Sequence, residues 1–156
     1  MELGRKPAGG VAFFDDVDRS YVVAQLEGAM DEPVELQLAV RRRTSALLLP
    51  GDSGAASRAS EEAGRAEQFA SELAALVPRV SVTVIESTED VPVFGVGVRG
   101  TTAVRFVGLP RVNLFRVLLE TIRRASTHDH GLPPDRASAL GCMPADTFAR
   151  VFATPT

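Results

Sequence analysis

Residues 91–110 read VPVFGVGVRGTTAVRFVGLP, two apolar runs joined at Arg99-Gly100. The link is short and contains a glycine, so it predicts a β-hairpin with strands over 93–98 and 102–107. Pro92 stands at its mouth. Proline has no N–H for a ladder hydrogen bond, so within a sheet it is confined to an edge, a bulge or the first position of a strand. After the hairpin, GLPRVN (108–113) reads as a turn, with Asn113 placed to cap a helix through about Ala125. Leu114, Phe115, Leu118, Leu119 and Ile122 share one side of that helix. Arg123 and Arg124 suit the negative end of its dipole.

Working back from the hairpin, VSVTVIE (80–86) alternates as a strand. A helix is predicted from about Ser57 to Val77 and ended by Pro78, with Ala66, Phe69, Ala70, Leu73 and Leu76 as its stripe. VELQLAV (34–40) also alternates, and SALLLP (45–50) is a second short apolar run. Either 34–40 or 45–49 is the first central strand. A helix over Asp16–Met30, capped by Asp16 or Asp18, carries Val22, Leu26 and Met30 at four-residue spacing and stops at DEP (31–33). The order predicts an α/β protein: a mixed sheet built from a βαβ unit and a hairpin, with helices on both faces. Residues 1–14 read as a lead-in, 15–126 as the domain and 127–156 as a short C-terminal extension.

Composition narrows the functions. The 156 residues carry a net charge of −3, which disfavours a nucleic-acid partner. No apolar run reaches the roughly 18 residues of a membrane span, and the N-terminus shows no signal-peptide core. The expectation is a cytoplasmic protein with no membrane association. Cys142 is the only cysteine, so no intrachain disulfide and no Cys-x-x-Cys is possible.

DEPVELQLAV, ELAALVPRVSVTV, VPVFGV and VRFVGLPRVNLFRVLLETI resemble successive pieces of two thioredoxin-like relatives. One is the N-terminal unit of the protein disulfide oxidoreductases. The other is the N-terminal thioredoxin-like region of the flavoprotein subunit of alkyl hydroperoxide reductase. The resemblance covers roughly residues 20–125. It implies a thioredoxin-like fold, and it implies that Pro92 is the cis-proline that lies beside the active-site cysteines in such folds. It also implies a Cys-x-x-Cys at the start of the first crossover helix. Here that place falls on Ser60-Glu61-Glu62-Ala63 or near Gly51–Gly54, and neither holds a cysteine.

The function implied is a redox-inactive thioredoxin-like protein-binding or adaptor module, linked to peroxide or disulfide metabolism by its relatives. Its binding face would comprise Ser60, Glu61, Glu62, Val91 and Pro92, and its partner would be another protein or a second copy. No catalytic residue and no cofactor are assigned. The alternative is a single-cysteine thiol–disulfide oxidoreductase or peroxide-reductase component using Cys142, although LGCMP supplies no neighbouring base. His128 and His130 are weak metal-ligand candidates in a polar loop, and no metal site is assigned. GVGVRG (95–100) opens no helix, unlike a phosphate-binding loop.

Overall fold

Val34–Val40 forms the central strand β1, and its burial alternates residue by residue with Val34, Leu36, Leu38 and Val40 inward. The computed structural model describes residues 12–41 and 53–142. Their element order is α1 (Asp16–Leu26), β1, α2 (Ser53–Leu76), β2 (Val80–Glu86), β3 (Val93–Val98), β4 (Thr101–Val107), α3 (Asn113–Thr127) and α4 (Pro134–Gly141). Segment 45–49 lies outside the described residues. The question of the first central strand is nonetheless answered, because β1 pairs parallel with β2, from Val34↔Val80 to Val40↔Glu86, and antiparallel with β3. The four strands run in the order β2-β1-β3-β4, and β3 and β4 make the expected antiparallel hairpin.

The hairpin link is the two residues Arg99 and Gly100, both at positive φ (54° and 79°). That is the requirement of a two-residue turn matched to strand twist. A non-glycine residue seldom adopts it. Arg99 is held there by an ion pair with Glu32, on the loop before β1. Gly97 is required for a different reason. A Cβ there would lie on the Thr101 carbonyl group, 2.7 Å from its carbon, where the ladder register shifts.

Among the described residues, the three helices that pack on the sheet or on one another lie on one face of it, not on both. The side chains of Leu36 and Leu38 oppose Val96 and Phe94 across the β1–β3 pair and share the inward face. Phe69 of α2 meets the Phe94 ring at 5.4 Å and the Phe115 ring of α3 at 5.9 Å. The helix α2 covers β1 and β2, and α3 covers β3 and β1. α1 rests on α3 and α2. The reason is length: only residues 87–92 join β2 to β3, too few to carry a helix across the opposite face. That face presents Glu35, Gln37, Ser81, Thr83 and Arg105. Thr83 and Thr102 donate across it to the Glu35 and Gln37 side chains at 2.9 Å. α4 has no buried residue.

Several element ends depart from expectation. α1 stops at Leu26 because Gly28 takes φ 77°, and its cap is Asp15, whose carboxylate accepts from Asp18 N at 2.8 Å. α3 has Val112, not Asn113, at its N-cap, with no side-chain cap. Phe13 and Phe14 of the expected lead-in pack into the core, their backbone N–H groups donating to the Glu72 carboxylate at 2.8 and 3.1 Å. Burial works to raise the Glu72 carboxyl, but those bonds, the Gln68 amide and the Arg19 charge together hold it below its ordinary range.

Candidate functional site

β1, β2 and β4 all point their carboxyl ends to one end of the sheet, and the start of β3 lies at the same end. Pro92 sits there, buried, with its carbonyl accepting from Gly108 N at 2.8 Å. The expected cis bond is absent: the described residues contain no cis peptide, so Val91–Pro92 is trans. Trans is the intrinsically favoured state of an X–Pro bond. It is accommodated here because Pro92 precedes the first laddered residue, Val93, so no strand partner needs its missing N–H. Val91 is exposed beside it.

Ser60, Glu61 and Glu62 do not sit at the helix start. α2 already runs from Ser53, so they lie about two turns inside it, and all three are exposed. From Arg58 to Arg65 no residue is buried; the first is Ala66. Glu62 lies seven residues, about 10 Å along the helix, before the Phe69 level at which α2 meets β3. The first half of α2 therefore carries these three side chains away from the packed part of the sheet.

Cys142 follows α4, exposed, with its thiol directed to the Ser138 carbonyl at 3.5 Å. α4 starts beyond the end of α3 remote from Pro92, and α3 itself is 15 residues, about 22 Å, long. His128 closes α3 in the left-handed region, and its Nε2 lies 3.3 Å from Glu32. His130 accepts from Leu132 N at 3.1 Å. Among the described residues no group of three His, Cys, Asp or Glu side chains could hold a metal ion. No helix among them is long and apolar enough to cross a membrane. The Glu32 carboxyl is held below its ordinary range, first by the hydrogen bond from Arg99 and then by His128. This cluster ties the hairpin turn to the end of α3. Ser126, fully buried, completes it by accepting from Glu32 N at 2.9 Å.

The structure places a further feature at the Pro92 end. A groove of about 530 Å³ opens between the start of α1, the turn after β4 and the start of α3. Its walls are the rings of Phe13, Phe14, Tyr21, Phe69 and Phe115. Val17 and Val112 stand at its rim, 76% and 73% exposed. Arg111 and Arg116 lie on the α3 side and Asp18 on the α1 side. Arg116 donates to the Tyr21 hydroxyl at 3.2 Å and lies over its ring. Val112 has φ 47° and ψ −111°, a strained conformation for a β-branched residue. The sequence reading missed this groove. The available signals were the paired Phe13-Phe14 and two valines, Val17 and Val112, off the core stripes.

No protein-family model matches the chain, and no curated protein matches it.

Proposed function

We propose that this chain is a thioredoxin-like module that binds another protein and performs no dithiol chemistry of its own. The observation that carries the reading is the strand order β2-β1-β3-β4, with only β3 running against the others, produced by a βαβ unit followed by a hairpin and a closing helix. In thioredoxin-like proteins the working surface is the end where the crossover helix begins and the hairpin strand is entered. Here that end has Pro92 and the groove but no cysteine, since Cys142 is the only one in the chain. The trans Val91–Pro92 bond lends the reading no local support, and it rests on topology. Function belongs to the site more than to the fold. An end without a redox pair, bordered by exposed Val91 and an aromatic groove, suits contact with a partner.

The test is reduction of insulin disulfides by the full chain, with dithiothreitol or a thioredoxin reductase supplying electrons. The proposal expects no rate above the reductant alone. Robust turnover that Cys142→Ser abolishes would replace it with a single-cysteine enzyme.

A further inference from the structure

We infer that the groove between α1 and the start of α3 receives a short acidic segment of a partner protein, with one bulky apolar side chain of that segment seated among the rings. This deepens the binding-module reading and rests on it.

Three observations converge. The groove, about 530 Å³ and open to solvent, has the half-buried rings of Phe13, Tyr21 and Phe115 in its lining, over the buried Phe14 and Phe69. Such rings supply large, stiff contact area to an inserted side chain. The apolar lining reaches the rim at Val17 and Val112, which are largely exposed. A peptide segment lying along the groove and over its rim covers both valines.

The third observation is charge. Among the described residues Arg19, Arg41, Arg99, Arg123 and Arg124 each meet a carboxylate, while Arg58, Arg65, Arg79, Arg105 and Arg136, like the two arginines at the groove, do not. Arg111 meets none among the described residues, and Arg116 meets only the Tyr21 hydroxyl and ring. Both are exposed and both border the groove on the same side. Asp18, on the opposite wall, is the single carboxylate of the lining. An incoming segment therefore gains when its acidic residues lie toward α3 and its apolar residue points to Phe13, Tyr21 and Phe115. Complementary charge of this kind sets orientation and discrimination between partners.

The test uses the full chain, labelled with nitrogen-15, and three peptides: acetyl-EELFEE-amide, its basic counterpart acetyl-KKLFKK-amide, and acetyl-EEGSEE-amide, which lacks the apolar anchor. The expected result is saturable amide shifts confined to 13–21 and 111–116 with the first peptide. Each of the other two should bind at least tenfold more weakly. Arg111→Glu should weaken the acidic peptide at least threefold. Arg111→Glu with Arg116→Glu should reverse the order of the acidic and basic peptides, and the same spectra report that the variants remain folded. Equal affinity for the acidic and basic peptides, shifts elsewhere on the surface, no saturable shift, or an order left unreversed would each overturn the inference. So would displacement of the first peptide by decanoate at lower concentration, which would make the groove a small-molecule pocket. A failure here is separable from failure of the parent reading, which is decided by insulin turnover.

Discussion

Replacing Phe69 by alanine probes the junction on which the one-sided architecture depends. Its ring is fully buried and meets four others: Phe13 at 5.2 Å, Phe14 at 5.3 Å, Phe94 at 5.4 Å and Phe115 at 5.9 Å. These belong to the approach to α1, to α3 and to β3, so one side chain of α2 joins two other packed segments to the sheet. Truncating a core phenylalanine costs about 3–5 kcal/mol, from lost transfer and the residual cavity. Each ring pair contributes about 0.5–1.5 kcal/mol beyond buried area, and the pairs do not add because they share one ring. Phe69 also borders the groove, so the cavity can partly fill from outside. That favours about 3–4 kcal/mol over the upper limit. A domain of this kind has about 5–15 kcal/mol in all. With a urea slope of about 1.5–2 kcal/mol/M, the midpoint should fall by roughly 2 M at unchanged slope. Phe69→Leu leaves a smaller cavity but loses the ring pairs, so it should cost less than Phe69→Ala. A loss below about 1 kcal/mol for Phe69→Ala would mean that the ring is not shared between the helices and the sheet, and the stacking of α2 and α3 on one face would have to be given up.

Gly97→Ala should destabilise far more than Gly95→Ala. The first sets a methyl against the Thr101 backbone, which cannot yield without breaking the ladder, while the second meets the Thr102 side chain first, its methyl at 2.8 Å. Thermal unfolding of the two variants should rank them, and equal losses would contradict the register at the hairpin. Hydrogen bonds from Arg123 and then Arg124 lower the Glu120 carboxyl from 4.5 to about 2. A depressed acid of this kind stabilises fully above its unfolded value and loses that contribution as pH falls through the folded one. Glu120→Gln should thus flatten the decline of stability between pH 4.5 and 2, read by denaturant titration across that window. An unchanged slope would show that this exposed pair is too screened to matter.

The strands were legible because their signal is local. Strict alternation in 34–40 and a short glycine link at 99–100 each constrain the chain within a few residues. Alternation could not choose between 34–40 and 45–49, since a short apolar run does not specify its neighbours; the pairing with β2 and β3 does. The placement of all three helices on one face depends on how far apart β2 and β3 lie in the chain, a consequence of residues 87–92 being too few. The sequence shows that brevity but not its result. Phe13 and Phe14 were hidden by their polar and glycine-rich surroundings; they enter the core by packing on Phe69 and Phe115, with Glu72, 58 residues beyond Phe14, accepting both N–H groups. Val91 and Pro92 lie at the end of the sheet where β3 begins, whereas Ser60, Glu61 and Glu62 were placed by counting back from an apolar stripe, which cannot tell where a helix begins. The groove lies between segments nearly 100 residues apart, Phe13–Tyr21 and Pro110–Arg116, and no local pattern joins them.

The thioredoxin-like reading depends on the strand order, and inter-strand proton contacts in the full chain measure that order. It predicts the short Hα–Hα contacts of antiparallel pairing between β1 and β3, within Glu35↔Gly97 to Ala39↔Val93, and between β3 and β4. It also predicts the contact pattern of parallel pairing between β1 and β2, with Leu36 opposite Val82. Hα–Hα contacts linking β2 directly to β3, as in a simple meander, would contradict the order β2-β1-β3-β4 and remove the basis for a thioredoxin-like binding module.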